Sequence, residues 1–195
     1  MSKPGSCKSS AFVAKSSHDE IMKILNFEFK ARAGDLARLE EKLLGLNPKF
    51  IGEDHQIDTY FNVERGRLKL REGNIENSLI YYEREDSAGA KSSKILLYQH
   101  APDGALKEIL SKISGIRVVV DKRRRIYFIG NVKFHFDTLE SLGTFVEVEA
   151  IDRDGSLGIE ELQKQCRHYA DFFGITGSDY VSESYSDLIL QIQQI

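Results

Sequence analysis

From Leu25 to Arg32 the chain alternates strictly: Leu25, Phe27, Phe29 and Ala31 share one parity, and Asn26, Glu28, Lys30 and Arg32 share the other. A period of two sends successive side chains to opposite faces of a strand, so this run has one apolar and one charged face. The signature returns in Asp58 to Phe61, Arg67 to Arg71, Leu79 to Arg84, Lys94 to Tyr98, Ile116 to Val120, Arg123 to Ile129, Val132 to Asp137 and Phe145 to Ile151. Gly, Asn and Ser separate these runs, which reads as meandering antiparallel strands. Three segments switch to a helical period. Asp35 caps a stripe of Leu36, Leu39, Leu43 and Leu46 that stops at Asn47-Pro48. Asp103 opens a second stripe of Leu106, Ile109, Leu110 and Ile113, closed by Gly115, and Ile159 to Phe173 presents Leu162, Cys166, Tyr169 and Phe173 on one face before Gly174.

Composition narrows the setting. At 195 residues the chain suits one domain. We place that domain at 21–195, after a Ser- and Lys-rich tail over 1–20 that lacks an apolar signal core. No apolar run spans a bilayer, so a membrane-spanning role is not expected. Two cysteines, Cys7 and Cys166, make neither a disulfide framework nor a zinc site, and the cytosol is the simplest compartment. The net charge of -3 gives no global pull on nucleic acid, so any affinity for anions must come from locally gathered Lys and Arg.

The charged faces supply that gathering. Glu28, Lys30 and Arg32 are followed by Lys69 and Arg71, then Arg84, Lys122 and Arg124, Lys133 and Asp137, and Glu147 and Glu149. An ordinary solvated face mixes Ser, Thr, Asn and Gln among its charges. If the sheet curls with these faces inward, the side chains converge on a solvated bore and the apolar faces are left for helices to cover. Glu147 and Glu149 lie about 6.6–7 Å apart on one strand face, a spacing that suits Mg²⁺ or Mn²⁺ with phosphate oxygens completing the shell. Arg forks and Lys ammonium groups are what a polyphosphate needs.

Several segments together resemble one family: Asn26-Phe27-Glu28-Phe29-Lys30, Asp58-Thr59-Tyr60-Phe61, Arg67-Leu68-Lys69-Leu70-Arg71-Glu72 and Leu79-Ile80-Tyr81-Tyr82-Glu83-Arg84. Further on come Lys122-Arg123-Arg124, Phe136-Asp137, Phe145-Val146-Glu147-Val148-Glu149 and Glu183-Ser184-Tyr185-Ser186-Asp187-Leu188. The chain is similar over these stretches to the CYTH superfamily of triphosphate tunnel metalloenzymes, most of all to its class IV adenylyl cyclase branch. The resemblance implies an α+β fold, a closed antiparallel eight-stranded β-barrel with helices packed on the outside. It also implies Mg²⁺ or Mn²⁺ bound by Glu28, Asp137, Glu147 and Glu149, and a triphosphate gripped by Lys30, Lys69, Arg71, Arg84, Lys122, Arg124 and Lys133. Glu28, Lys30, Glu147 and Glu149 would be catalytic. The family signature is Glu-x-Glu-x-Lys, and Asn26 stands where its first Glu belongs, offering a neutral amide in place of a charged ligand.

Hydrolysis of tripolyphosphate or an organic triphosphate, thiamine triphosphate or ATP, is the first functional reading. Cyclisation of ATP to cyclic AMP and pyrophosphate is the second, and a non-catalytic polyphosphate-binding module is the third. No nucleic-acid or membrane partner is expected, and a homodimer is left open. Other features have plainer readings. Asp152, Asp154, Gly155 and Glu161 fit part of a calcium loop, but Ala150 occupies its first position, so a turn and helix start is preferred. In Lys122 to Arg125, two residues face the tunnel and two face solvent. His135 reads as a hydrogen-bonded barrel histidine ahead of a phosphate contact or proton carrier, Tyr81 and Tyr82 as half surface and half core ahead of a pair that stacks a nucleobase, and Cys166 as packed.

Overall fold

The computed structural model describes residues 25–84 and 91–194. The expected tail over 1–20 and the side chain of Arg84 lie outside the described residues. In chain order the elements are β1 (Leu25–Arg32), α1 (Leu36–Leu44), β2 (Lys49–Phe61), β3 (Arg67–Glu72), β4 (Ser78–Arg84) and β5 (Lys91–Gln99). They continue as α2 (Gly104–Ser114), β6 (Ile116–Ile129), β7 (Val132–Leu139), β8 (Gly143–Asp152), α3 (Gly158–Phe173) and α4 (Tyr185–Gln193).

The eight strands are antiparallel and follow one another round a ring in the order β1-β5-β4-β3-β2-β6-β7-β8. The expected closure is an overstatement. β1 pairs with β8 along its whole length, but among the described residues it meets β5 only at Phe27↔Ser92 and Glu28↔Lys91, so the sheet is a deeply curled barrel with a thin seam. Two expected strands, Ile116 to Val120 and Arg123 to Ile129, are one. Nothing in Asp121-Lys122 turns the chain, and β6 pairs with β2 from Ile116 to Phe128. β2 itself begins well before Asp58, because Gly52 takes up a register shift at φ 148 that keeps the pairing going.

The outward faces of β1, β7 and β8 are covered by α1 and α3. Phe29, Ala31, Phe134, Phe136, Val146, Val148 and Ala150 pack against Leu36, Leu43, Leu162, Cys166, Tyr169 and Phe173. Phe134 meets Tyr169 edge to face at 4.7 Å, and Phe136 meets Phe173 likewise at 6.2 Å. Each such side chain taken out of water contributes roughly 1.5–3 kcal/mol, which makes this layer the main source of stability. The predicted caps form: the Asp35 carboxylate accepts from the Arg38 amide, Asp103 accepts from Ala105, and Gly174 ends α3 at φ 74.

A fourth helix was not expected, and it does not lie outside. Ser184 and Asp187 form a reciprocal capping box that starts α4. Tyr185 and Leu188 then pack on Tyr60, Val118, Val120, Leu139 and Phe145, which are inner-face residues of β2, β6, β7 and β8. Because those positions are apolar at one end of the barrel and charged further along, the bore has a greasy end stoppered by α4 and a charged remainder. Arg67 Nη2 reaches Asp187 Oδ2 at 2.9 Å and ties the stopper to β3.

Candidate active site in the charged bore

Strand register decides which side chains share the inner face. Directly paired residues in an antiparallel sheet project to the same side. Glu28 pairs with Glu149 and Lys30 with Glu147; Glu149 pairs in turn with Lys133, and Glu147 with His135. Arg124 pairs with both Asp137 and Asp54, Gln56 with Lys122, and Asp58 with Arg71. Glu28, Lys30, Lys69, Arg71, Lys122, Arg124, Lys133, Asp137, Glu147 and Glu149 therefore occupy one continuous surface. In the basic run, Lys122 and Arg124 are buried inside. Arg123 faces outward within 4.0 Å of Glu53, and Arg125 binds Glu40 at 2.7 Å.

The bore is not the solvated channel expected from its polarity. Lys122 is 2% exposed, Arg124 4%, Asp58 2% and Asp137 0%, because opposite charges from neighbouring strands pair and fill the space. Asp58 is the centre of one cluster. Its Oδ1 accepts from Arg71 Nε at 2.8 Å, while Oδ2 accepts from Arg71 Nη2 at 2.9 Å, Lys122 Nζ at 2.8 Å and Lys69 Nζ at 3.0 Å. Burial raises the Asp58 pKa, but Arg71, Lys122 and Lys69 outweigh it and hold the carboxyl well below the usual carboxylate range. Burial pushes Lys122 down, Asp58 opposes this, and Arg71, Arg124 and Lys69 push it further, to about 7.

Arg124 centres the second cluster. Its fork grips Asp137 through Nε at 2.6 Å and Nη2 at 2.5 Å, and Nη2 also reaches Glu147 Oε2 at 2.8 Å. Tyr185 of α4 donates to Asp137 Oδ2 at 2.7 Å and lies under Lys30, whose Nζ sits 4.3 Å from the ring centroid. Burial raises the Glu147 pKa, yet Arg124 and His135 keep it well below its ordinary value. His135 is buried, and neither ring nitrogen has a hydrogen-bond partner among the described residues; Nδ1 stands 3.7 Å from Glu147, too far for a bond. The expected hydrogen-bonded histidine is thus in place without its bonds. Burial, Arg124 and Lys133 lower its pKa, and Glu147 opposes them.

A loop enters the bore between β3 and β4. Asp54 Oδ1 accepts from the Ile75 amide at 2.9 Å and Oδ2 from the Glu76 amide at 3.0 Å, while Asn77 and Gly73 exchange hydrogen bonds. A Cβ on Gly73 would stand 2.7 Å from the Asp54 carboxylate, so only glycine allows this approach. The loop delivers Glu76 to Arg71 Nη1 at 2.8 Å and Lys133 Nζ at 2.5 Å.

Comparison with known proteins agrees with this geometry. Residues 25–172 match the CYTH domain family. The chain belongs to that family. It is similar to "Adenylate cyclase CyaB" of Aeromonas hydrophila, at 27% identity over 84% of this chain and 88% of that protein. Among solved structures, the PH1012 protein of Pyrococcus horikoshii superposes with a TM-score of 0.72 and 28% identity, over 84% of this chain and 98% of that one. HpAC1 from Hippeastrum, an adenylyl cyclase homologue with a dominant triphosphatase activity, shares the fold at a TM-score of 0.58 and 12% identity, over 88% of this chain and 96% of that one.

The departure from the CYTH signature has a visible consequence. Asn26 Nδ2 donates to Glu149 Oε1 at 2.8 Å, and Asn26 Oδ1 is buried with no hydrogen-bond partner among the described residues. An orphaned carbonyl oxygen beside Glu149, with Glu28 paired opposite, is a hard-oxygen donor set that suits Mg²⁺ or Mn²⁺. Among the described residues no three His, Cys, Asp or Glu side chains already converge as a ligand group. Both Asp137 oxygens accept hydrogen bonds, from Arg124 and from Tyr185, and these hold the Arg124 guanidinium in place. The calcium-like loop is accounted for by Asp152, whose carboxylate accepts from the amides of Gly155, Leu157 and Gly158.

Asp54, Gln56, Asp58, Glu76 and Tyr185 are bore residues to which the sequence analysis gave no role. Asp58 lay in a recognised strand run, and its parity with Tyr60 could have placed it inside. Glu76 belongs to a loop with no period. Tyr185 lay in a segment that carried the family resemblance, beside Ser184 and Asp187, whose spacing is that of a helix cap.

Proposed function

We propose that the chain is a divalent-metal-dependent enzyme that hydrolyses a tripolyphosphate or organic triphosphate held in the bore. The observation that supports this most is the register. It gathers Lys30, Lys69, Arg71, Lys122, Arg124 and Lys133 from four strands onto the same inner surface as Glu28, Glu147 and Glu149. Membership of the CYTH family, whose relatives include an adenylate cyclase, points to triphosphate chemistry in general.

In this reading Glu28 and Glu149, with Asn26 Oδ1, would hold the cation, which would neutralise phosphate oxygens and activate water. Arg71, Lys69 and Lys133 bind the chain of phosphates. Arg124, fixed by Asp137 and Glu147, presents a rigid guanidinium to the charge that grows in the transition state. Lys122 can hold or release a proton at Nζ near neutral pH, where an ordinary lysine cannot. Tyr185 and α4 keep water out of the apolar end.

Cyclisation of ATP is the second reading, favoured by the CyaB relative and by one structural feature. Ile80 and Leu97 pair on the inner face of β4 and β5, and Leu97 is 50% exposed, so one wall of the bore is apolar and open to a planar organic group. The test is a panel of tripolyphosphate, thiamine triphosphate and ATP with Mg²⁺ or Mn²⁺, following phosphate, pyrophosphate and cyclic AMP together. Phosphate release supports hydrolysis, and cyclic AMP with stoichiometric pyrophosphate supports the second reading. Thermal stabilisation by tripolyphosphate without any product would refute both and leave a binding module.

A further inference from the structure

We propose that Glu76 is an internal stand-in for a substrate phosphate, occupying the place between Arg71 and Lys133 and leaving it when a polyphosphate binds. The inference rests on the reading of the bore as a polyphosphate site. β3 and β7 stand three places apart round the eight-strand ring, on nearly opposite walls. Glu76 spans them: Oε1 accepts from Lys133 Nζ at 2.5 Å, and Oε2 accepts from Arg71 Nη1 at 2.8 Å and from Gln56 Nε2 at 3.1 Å. Burial raises its pKa, but Lys133 and Arg71 overcome that and hold it ionised far below the usual carboxylate range.

A carboxylate that bridges two cations from opposite walls resembles a phosphate oxygen pair in charge and reach. It does so from a loop, while Asp58 and Asp137 sit in the middle of strands β2 and β7 and cannot withdraw. The loop backbone is anchored without Glu76. Asp54 holds the Ile75 and Glu76 amides, and Asn77 bonds both backbone groups of Gly73, so the side chain can swing out while its anchor stays. At 26% side-chain exposure, Glu76 already borders solvent. The arrangement keeps buried Arg71 and half-buried Lys133 neutralised in the empty protein and makes any anion compete for them.

The test is calorimetric titration of the full chain with inorganic tripolyphosphate, with and without Mg²⁺, for the parent, Glu76→Gln and Arg71→Ala. Glu76→Gln is nearly isosteric, and melting curves will establish that it folds. Removing the competing charge should tighten tripolyphosphate binding about tenfold or more, the scale of one charge-assisted hydrogen bond. Arg71→Ala should weaken it. Unchanged or weaker binding by Glu76→Gln, with Arg71→Ala still weakening, would overturn the stand-in and leave the polyphosphate site intact. If Arg71→Ala also binds as the parent does, the polyphosphate reading itself falls. Should Glu76→Gln not fold, Glu76→Asp carries the test: it keeps the charge but is too short to bridge both walls, so it should tighten binding to a lesser degree, and no tightening would overturn the proposal.

Discussion

Asp58→Asn removes one negative charge and almost no volume from the centre of the bore. The parent carboxylate accepts four hydrogen bonds from Arg71, Lys122 and Lys69, and is 2% exposed. Taking one partner from a buried ion pair costs about 3–5 kcal/mol, because the remaining charges stay desolvated and uncompensated. The Asn oxygen still accepts from one of the three cations, and Lys122, near 7, can shed its proton, so the loss should fall at about 3 kcal/mol, the lower end of that range. For a chain of this size that corresponds to a drop of roughly 6–12 °C in Tm. The same change frees cations for anions, so tripolyphosphate should raise the Tm of the variant by more than it raises that of the parent; binding at a hundredfold over Kd is worth about 2.7 kcal/mol. Differential scanning calorimetry with and without tripolyphosphate measures both. pH supplies a third check. The folded pKa of Asp58 is depressed, so its contribution is present above the unfolded value of 3.8 and is lost as pH falls toward the folded one. The parent should therefore lose stability below about pH 4 more steeply than the variant. An unchanged Tm would refute the claim that Asp58 neutralises the bore, and a lowered Tm without enhanced rescue would show that the freed cations do not meet polyphosphate.

Three further outcomes are expected. Asn26→Glu places a carboxylate against Glu149 in exchange for a hydrogen bond, so the metal-free variant should melt lower while Mg²⁺ or Mn²⁺ binds tighter; unchanged metal affinity by calorimetry would remove Asn26 from the metal site. Tyr185→Phe deletes one hydrogen bond to buried Asp137 and should cost about 1.5–3 kcal/mol by denaturant unfolding, with turnover falling because Arg124 loses its fixed orientation; intact stability would mean the α4 stopper does not act through that bond. Lys122 is pushed down to about 7, so at about pH 8 it is mostly neutral, and an arriving polyanion should recharge it. Calorimetry in buffers of different ionisation heat should therefore record proton uptake on tripolyphosphate binding at that pH, and Lys122→Met should abolish it.

Much of this protein is determined by the order of its residues. Strict alternation from Leu25 to Arg32 and through the later runs dictates two-faced strands, since a period of two leaves no other way to separate Phe29 from Lys30. Asp35, Asp103 and Gly174 mark helix ends because their side chains, or the lack of one, satisfy local backbone needs. The same alternation sets the parity of Glu28, Lys30, Lys69, Arg71, Lys122, Arg124, Lys133, Glu147 and Glu149, so local pattern alone tells which of them share a strand face. What it does not carry is which opposite charges meet. Asp58 with Lys122 and Arg124 with Glu147 are ion pairs between different strands, β2 with β6 and β6 with β8, and they exist only once the tertiary fold has set those strands in their order. Glu76 and Tyr185 lie further still from the reach of pattern. One sits in an aperiodic loop and the other on a helix whose apolar partners are the inner faces of four strands, so both were placed by the closing of the barrel. Periodicity is a property of a single element, whereas the neutralisation of a buried charge depends on whatever the fold sets opposite it.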